Sequence, residues 1–196
     1  MRGEVPIRAT ELIARWRESE GEKSLGGFVD AMDSKGFALL LVILMGPSAL
    51  PIPTGGLTHL FEIAAVLLAF QLILGRADVW LPGRMRRISL EGGGATKVVD
   101  AMERYIGKLE RITKPRGRIS DIAFGFGVLI GVIVTFLAPP FTGLDTLPAL
   151  GVVMLALAVI AEDIAVIWIG VALIVLGAFA ELFIGDAAYR AVKSLF

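Results

Sequence analysis

Amphipathic segments and long apolar runs take turns along this chain, and each stays distinct from the next. From 6 to 20, Leu12, Ile13 and Trp16 share one helical face, while Arg8, Arg15, Arg17 and Glu18 occupy the other, the pattern of a short interfacial helix. After a break at 21–24, a second polar helix is predicted over 25–34, with Phe28 and Met32 at i and i+4. The first oily stretch, 36–50, is nearly free of charge, and the second, 57–74, is interrupted by His59, Glu62 and Gln71. Between them stand Pro51, Pro53, Thr54, Gly55 and Gly56, residues that end one helix before the next begins. As helices the two stretches would measure roughly 22 and 27 Å, against a hydrocarbon core of ~30 Å. This predicts a hairpin that is either two short crossings or a re-entrant pair, its broken backbone covered by protein or trapped water.

The segment that follows, 75–87, places Trp80 at headgroup level beside Arg76, Arg84, Arg86 and Arg87, which serve as interface anchors. A glycine linker ends before Thr96, the expected N-cap of a helix to Ile112. On that helix Val98, Met102, Tyr105, Leu109 and Ile112 form a stripe, widened by Val99 and Ile106, that must lie on lipid, on the membrane domain or on a partner. Asp100 and Arg104 form an i, i+4 pair on its wet side. The run 119–138 is long enough to span and carries Gly125, Gly127 and Gly131, the last two as a GxxxG with a dimerisation reading. A second break at Pro139, Pro140, Thr142 and Gly143 precedes the apolar runs 144–161 and 164–182, separated by Glu162 and Asp163, read as a solvated turn.

The two breaks look like copies. A shift of 88 residues lays Pro51 on Pro139, Thr54 on Thr142, Gly55 on Gly143, Thr58 on Thr146, Trp80 on Trp168 and Asp33 on Asp121. An internal duplication is inferred; inserted with opposite orientation, as an inverted repeat, the two hairpins would bring their tips together near the midplane, whereas parallel insertion would leave both tips on one side. The resulting organisation is 1–35, amphipathic cytoplasmic helices; 36–82, first membrane hairpin; 83–118, basic loop with an amphipathic helix; 119–184, second membrane repeat; and 185–196, polar tail.

Composition agrees with this class: of 196 residues, 56% are hydrophobic and 19% charged, too apolar for an ordinary soluble domain. The expected fold is therefore an all-α, polytopic integral membrane protein with two Pro/Gly-broken hairpins. The cations decide orientation, since six Lys and Arg precede Gly36 and eleven lie between Gly75 and Arg118, putting both regions in the cytoplasm. An even number of passes must separate those regions, whereas Arg190 and Lys193 leave the tail ambiguous. No cleavable signal pattern opens the chain. With no cysteine and one histidine, disulfides are excluded and a zinc site is disfavoured; neither a metal nor another cofactor is expected, and no nucleic-acid partner.

The order Gly36, Phe37 and an apolar run, then Pro51, Pro53, Thr58, Gln71, Gly75, Trp80 and Pro82, then a basic amphipathic loop, a proline-rich turn, Leu147 to Leu150, Glu162 and Asp163, resembles the ExoD family of bacterial exopolysaccharide-synthesis membrane proteins. The similarity runs from about residue 24 to 182. The resemblance implies a place in the bacterial inner membrane and a role in exopolysaccharide production, and it brings no catalytic residues. P-loop, nucleophile-elbow, zincin and Asp-rich metal motifs are absent as well, so no enzyme activity is expected.

The polar groups at membrane depth remain as candidates. His59 and Glu62, three apart, face one way just after the first break, either to exchange a proton or bind a cationic or hydroxylated group, or to bond exposed loop carbonyls. With Pro51, Pro53, Thr54, Gly55, Pro139, Pro140, Thr142 and Gly143 they make up the expected functional centre. Arg84, Arg86 and Arg87 are expected on anionic lipid, where a polyprenyl-phosphate carrier would meet the same charges. An accessory or regulatory protein acting through lipid or through a partner such as polysaccharide-synthesis proteins is the leading expectation, and the chain itself is expected to form a homodimer or higher oligomer. The alternative is a small inverted-repeat transporter or lipid-carrier translocase.

Overall fold

Helices account for about three quarters of the backbone in a computed structural model that describes residues 7–21, 23–50, 58–138 and 143–193, with side chains except at 95 and from 185 onward. Four of the break residues at the first hairpin, Pro51, Pro53, Thr54 and Gly55, and three at the second, Pro139, Pro140 and Thr142, lie outside the described residues. In chain order the helices are α1 (Ala9–Glu18), α2 (Leu25–Ala31), α3 (Gly36–Met45), α4 (Thr58–Ile73), the single turn α5 (Gly83–Arg86), α6 (Gly93–Ile112), α7 (Asp121–Leu137), α8 (Thr146–Ala161) and α9 (Ile164–Lys193). A 3₁₀ turn, Asp33–Lys35, joins α2 to α3.

Local chemistry explains most of the ends. Ser24 and Ser120 cap α2 and α7, each hydroxyl accepting from the backbone N–H three residues on. The start of α6 differs from expectation: it begins at Gly93, behind Gly92 at φ 126°, so Thr96 is inside the helix rather than at its cap. Only glycine reaches that φ cheaply, and the Thr96 hydroxyl still turns back to accept from the Gly92 N–H at 3.3 Å.

The apolar helices form one bundle. α3 and α8 pack in its middle, α4 packs on α7, and α9 lies along α8. Close contacts among small residues hold it together. A Cβ on Gly131 would stand 2.8 Å from Ile174 Cδ1 of α9, and one on Gly127 would stand 3.2 Å from Leu155 Cδ1 of α8. The GxxxG of α7 is therefore used inside the chain, for the close approach of α8 and α9.

Three contacts give the helix directions. Lys35, at the start of α3, has its Nζ 3.6 Å from Glu162 Oε1 at the end of α8. Gly125, near the start of α7, abuts Leu72 and Ile73 at the end of α4. His59, at the start of α4, lies with its ring centroid 5.0 Å from that of Phe136 at the end of α7. Hence α3 and α7 run one way and α4 and α8 run back. Both pairs of helices start from the same end of the bundle, which corrects the inverted repeat: α3 with α4 runs parallel to α7 with α8, and the described flanks of both breaks lie at the far end. A cation-rich flank precedes each hairpin, in keeping with this common starting end.

The outer surface is oily. Leu60, Ile63, Leu67 and Phe70 of α4, Phe126, Ile130 and Phe136 of α7, and Trp168, Leu176 and Phe179 of α9 are all exposed. Of the described helices, one segment, Ile164–Ile184 of α9, is long and apolar enough to cross a membrane, and α4, α7 and α8 are apolar but shorter. Because α9 starts at the flank end and Gly177 packs on Pro148 at the start of α8, the chain's last helix leads to the tip end.

At the flank end the amphipathic helices form a collar. Trp16 of α1 meets Phe28 of α2 edge-on at 4.9 Å, and Val99, Met102 and Ile106 of α6 are buried. The apolar faces of α1 and α2 thus lie on protein.

Candidate functional site

The tip end is assembled from elements that the breaks separate in sequence. The turn after α3 presents Ser48, and the first turns of α4 present Thr58, His59 and Glu62. An i, i+3 spacing places His59 and Glu62 on one face. Glu62 is only 1% exposed, so its carboxylate must be satisfied within the protein. Its Oε1 accepts from Ser48 Oγ at 3.3 Å and its Oε2 lies 2.7 Å from His59 Nδ1. His59 remains partly exposed against Phe136.

This arrangement links a buried carboxylate through one short bond to an imidazole at the bundle surface. Both carboxylate oxygens are engaged in these bonds, and His59 is the part of the pair that reaches the surface. The structure thus brings His59 and Glu62 together and adds Ser48, which the sequence reading missed. The missing signal is a polar residue one turn beyond an apolar helix, facing another across a proline break. Gly143 lies at the start of the second hairpin's return, at φ 70°. At the same end, Oε1 of Glu181 on α9 is buried with no hydrogen-bond partner among the described residues, near Asp145. Among the described residues no group of three or more His, Asp and Glu is placed to hold a metal.

The flank end has a different chemistry. Lys35 Nζ donates to the Ile7 carbonyl at 2.9 Å as well as facing Glu162. Glu162 adopts a left-handed φ of 54°, and its carbonyl accepts from the N–H groups of Arg116 and Gly117 at 3.0 and 3.1 Å. Asp163 is buried: one oxygen caps α9 through the Ala165 N–H at 3.0 Å and the other accepts from the Lys114 N–H at 3.3 Å. The pair read as a solvated turn is a lock between the loop after α6 and the α8–α9 corner. It is buried because its oxygens satisfy backbone donors that would otherwise be orphaned.

Of the three arginines expected on lipid, Arg86 pairs with Asp30 and packs over Gly26, while Arg84 and Arg87 are exposed. Asp100 likewise pairs with Arg17 of α1 and not with Arg104. Gln71 holds Trp80 by both backbone groups, accepting from its N–H at 2.7 Å and donating to its carbonyl at 3.2 Å.

A family model described as "Exopolysaccharide synthesis, ExoD" matches residues 9–183. A stretch of 122 residues, 59% of the chain, is 34% identical to an uncharacterized protein of Synechocystis and covers 57% of it. A stretch of 141 residues, 66% of the chain, is 28% identical to Protein ExoD of Rhizobium meliloti and covers 56% of it. The chain therefore spans a little over half the length of these curated relatives. No solved structure matches it.

Proposed function

The chain belongs to the ExoD family, and from that premise we propose that it is a multi-pass protein of the bacterial inner membrane with an accessory or regulatory role in exopolysaccharide synthesis, without catalytic chemistry of its own. One observation carries the membrane part: exposed Leu, Ile, Phe and Trp side chains cover the outward faces of α4, α7 and α9. A surface of that kind needs lipid or protein against it. The cations add support, since 17 of the 19 precede one hairpin or the other, and the remaining two, Arg190 and Lys193, lie in the last turn of α9. The collar is then cytoplasmic and the end of α9 periplasmic, after five crossings that are mostly short.

An internal duplication fits the helix limits, because α4 and α8 start 88 residues apart (146 − 58) and end 88 apart (161 − 73). Its pairing pattern fits too, α3 with α8 and α4 with α7 being the same pair with the halves exchanged. In this reading the protein acts on partners through its tip end, where His59, Glu62 and the flanks of both breaks converge. Lipid, a second copy, polysaccharide-synthesis proteins or a polyprenyl-phosphate carrier are the partners envisaged.

Single cysteines at Glu91 and Lys193 test the topology, because the chain has none of its own. A membrane-impermeant thiol reagent on intact spheroplasts should label Lys193→Cys and spare Glu91→Cys; labelling of both, or of Glu91→Cys alone, overturns it. The role is tested in a strain lacking its own copy. Wild type should restore exopolysaccharide and Glu62→Gln should not, at equal membrane abundance. Full restoration by Glu62→Gln would remove the tip end from the function.

A further inference from the structure

Helix α6 carries more apolar surface than its packing uses. Val99, Met102 and Ile106 are buried, yet Val98, Tyr105 and Ile112 are 47%, 66% and 81% exposed. These three are seven residues apart, a spacing that drifts only ~20° per heptad and so draws one line down the helix. Each follows a cation directly: Lys97, Arg104 and Arg111 form a parallel line, and Lys108 lies between the two rows with its Nζ 5.8 Å from the centre of the Tyr105 ring.

The acids of α6 are turned elsewhere. Arg17 of α1 pairs with Asp100 and lies 3.2 Å from Glu103, while Glu110 accepts from the Ala9 N–H at 2.8 Å and the Thr10 hydroxyl at 2.6 Å. Among the described residues, Lys97, Arg104, Lys108 and Arg111 form no ion pair. The helix is thus divided into a buried face, an acidic face clasped by α1, and an exposed face on which an apolar row runs beside uncompensated cations.

Position completes the picture. The bonds from Lys114, Arg116 and Gly117 to Asp163 and Glu162 set the end of α6 beside the start of α9, where Ile164 and Trp168 are exposed. The apolar row therefore ends next to the outward face of the one helix long enough to cross.

We propose that α6 is a docking surface for an anionic leaflet, with Val98, Tyr105 and Ile112 in the interfacial layer and Lys97, Arg104, Lys108 and Arg111 on headgroup phosphates. This rests on the membrane reading given above. The combination of an apolar strip and a cation strip on one helix is the signature of interfacial binding, and the unpaired cations select negative lipid. It also gives the collar a role: α1 holds the acids away so that only positive charge faces the bilayer.

The test uses the full chain reconstituted in vesicles of phosphatidylcholine alone or mixed with phosphatidylglycerol. Tyr105→Cys carries an environment-sensitive dye, with Glu91→Cys as the control. At position 105 the expected result is blue-shifted emission and severalfold stronger quenching by nitroxide-bearing lipid in the anionic vesicles than in the neutral ones. Replacing the four cations by Gln should abolish the difference. Water-like emission at 105 in both lipids, with the chain incorporated, overturns the proposal. So does a shift that follows protein concentration and not lipid charge, because a second copy would then cover the face. Failure to incorporate at all defeats the membrane reading itself, and with it the proposal.

Discussion

α4 and α8 hold the same register 88 residues apart and run in the same direction, yet they live in different surroundings. α4 keeps an outward face of Leu60, Ile63, Leu67 and Phe70, whereas α8 is enclosed by α3, α6, α7 and α9, leaving Leu147 as its exposed large side chain. The matching positions show how the surroundings were accommodated. Where α4 has Ile63, α8 has Gly151, and where α4 has Glu62, α8 has Leu150. α4 thus carries an exposed apolar face and a polar site where α8 carries a close-packing seam.

The seam should give the largest effect. A Cβ on Gly151 would stand 2.6 Å from Ile174 Cγ1, 2.8 Å from the Gly170 carbonyl oxygen and 2.9 Å from the Ile174 nitrogen. Backbone atoms cannot swing aside as a side chain does. Gly151→Leu is expected to cost about 3 kcal/mol or more through overpacking, read as a lowered unfolding midpoint in detergent. The matching change in α4, Ile63→Leu, should stay within about 0.5 kcal/mol, because Ile63 is exposed. Equal effects at the two positions would mean that α9 does not cover α8.

The polar site comes next. Glu62→Leu gives α4 the residue that α8 has and removes a desolvated charge, so stability should be unchanged or rise by about 1 kcal/mol. His59→Ala instead strips the buried carboxylate of its shorter bond and should cost about 2 kcal/mol. The double variant should behave as Glu62→Leu does alone, since the histidine has value only while the carboxylate is there. Additive losses in chemical unfolding would show that the two side chains act separately.

Much of this could be read from the residues, because lipid-type helices and their ends obey few rules. The apolar runs, the proline breaks and the 88-residue offset all left traces in composition. The parallel course of α4 and α8 was one of the two insertions that the matching breaks left open, and a cation-rich flank before each hairpin is in keeping with it. Ser48 was not legible. Its partnership with Glu62 depends on how the chain returns across a break of unspecified geometry. Nor was the burial of Asp163, which exists only because the loop after α6 brings the Lys114 N–H to it. Thr96 misled as a cap because Gly92, with its positive φ, starts the helix earlier.

The smallest expected effect lies in the collar and marks its difference from the bundle. Arg17 reaches Asp100 and Glu103 from α1, but its side chain is 37% exposed and the two carboxylates 45% and 40%. Pairs so open to water gain little, because hydration and salt compete for the same charges. Arg17→Ala should therefore lower stability by about 0.5 kcal/mol at low ionic strength, and the loss should shrink as salt rises. The docking of α1 rests instead on Ala9, Ile13 and Trp16, all buried, and on the carboxylate of Glu110 that satisfies its first N–H group. A salt-independent loss of several kcal/mol on Arg17→Ala would mean that charge fastens the collar. The electrostatic division of α6 would then be a structural device and not a surface kept positive for lipid.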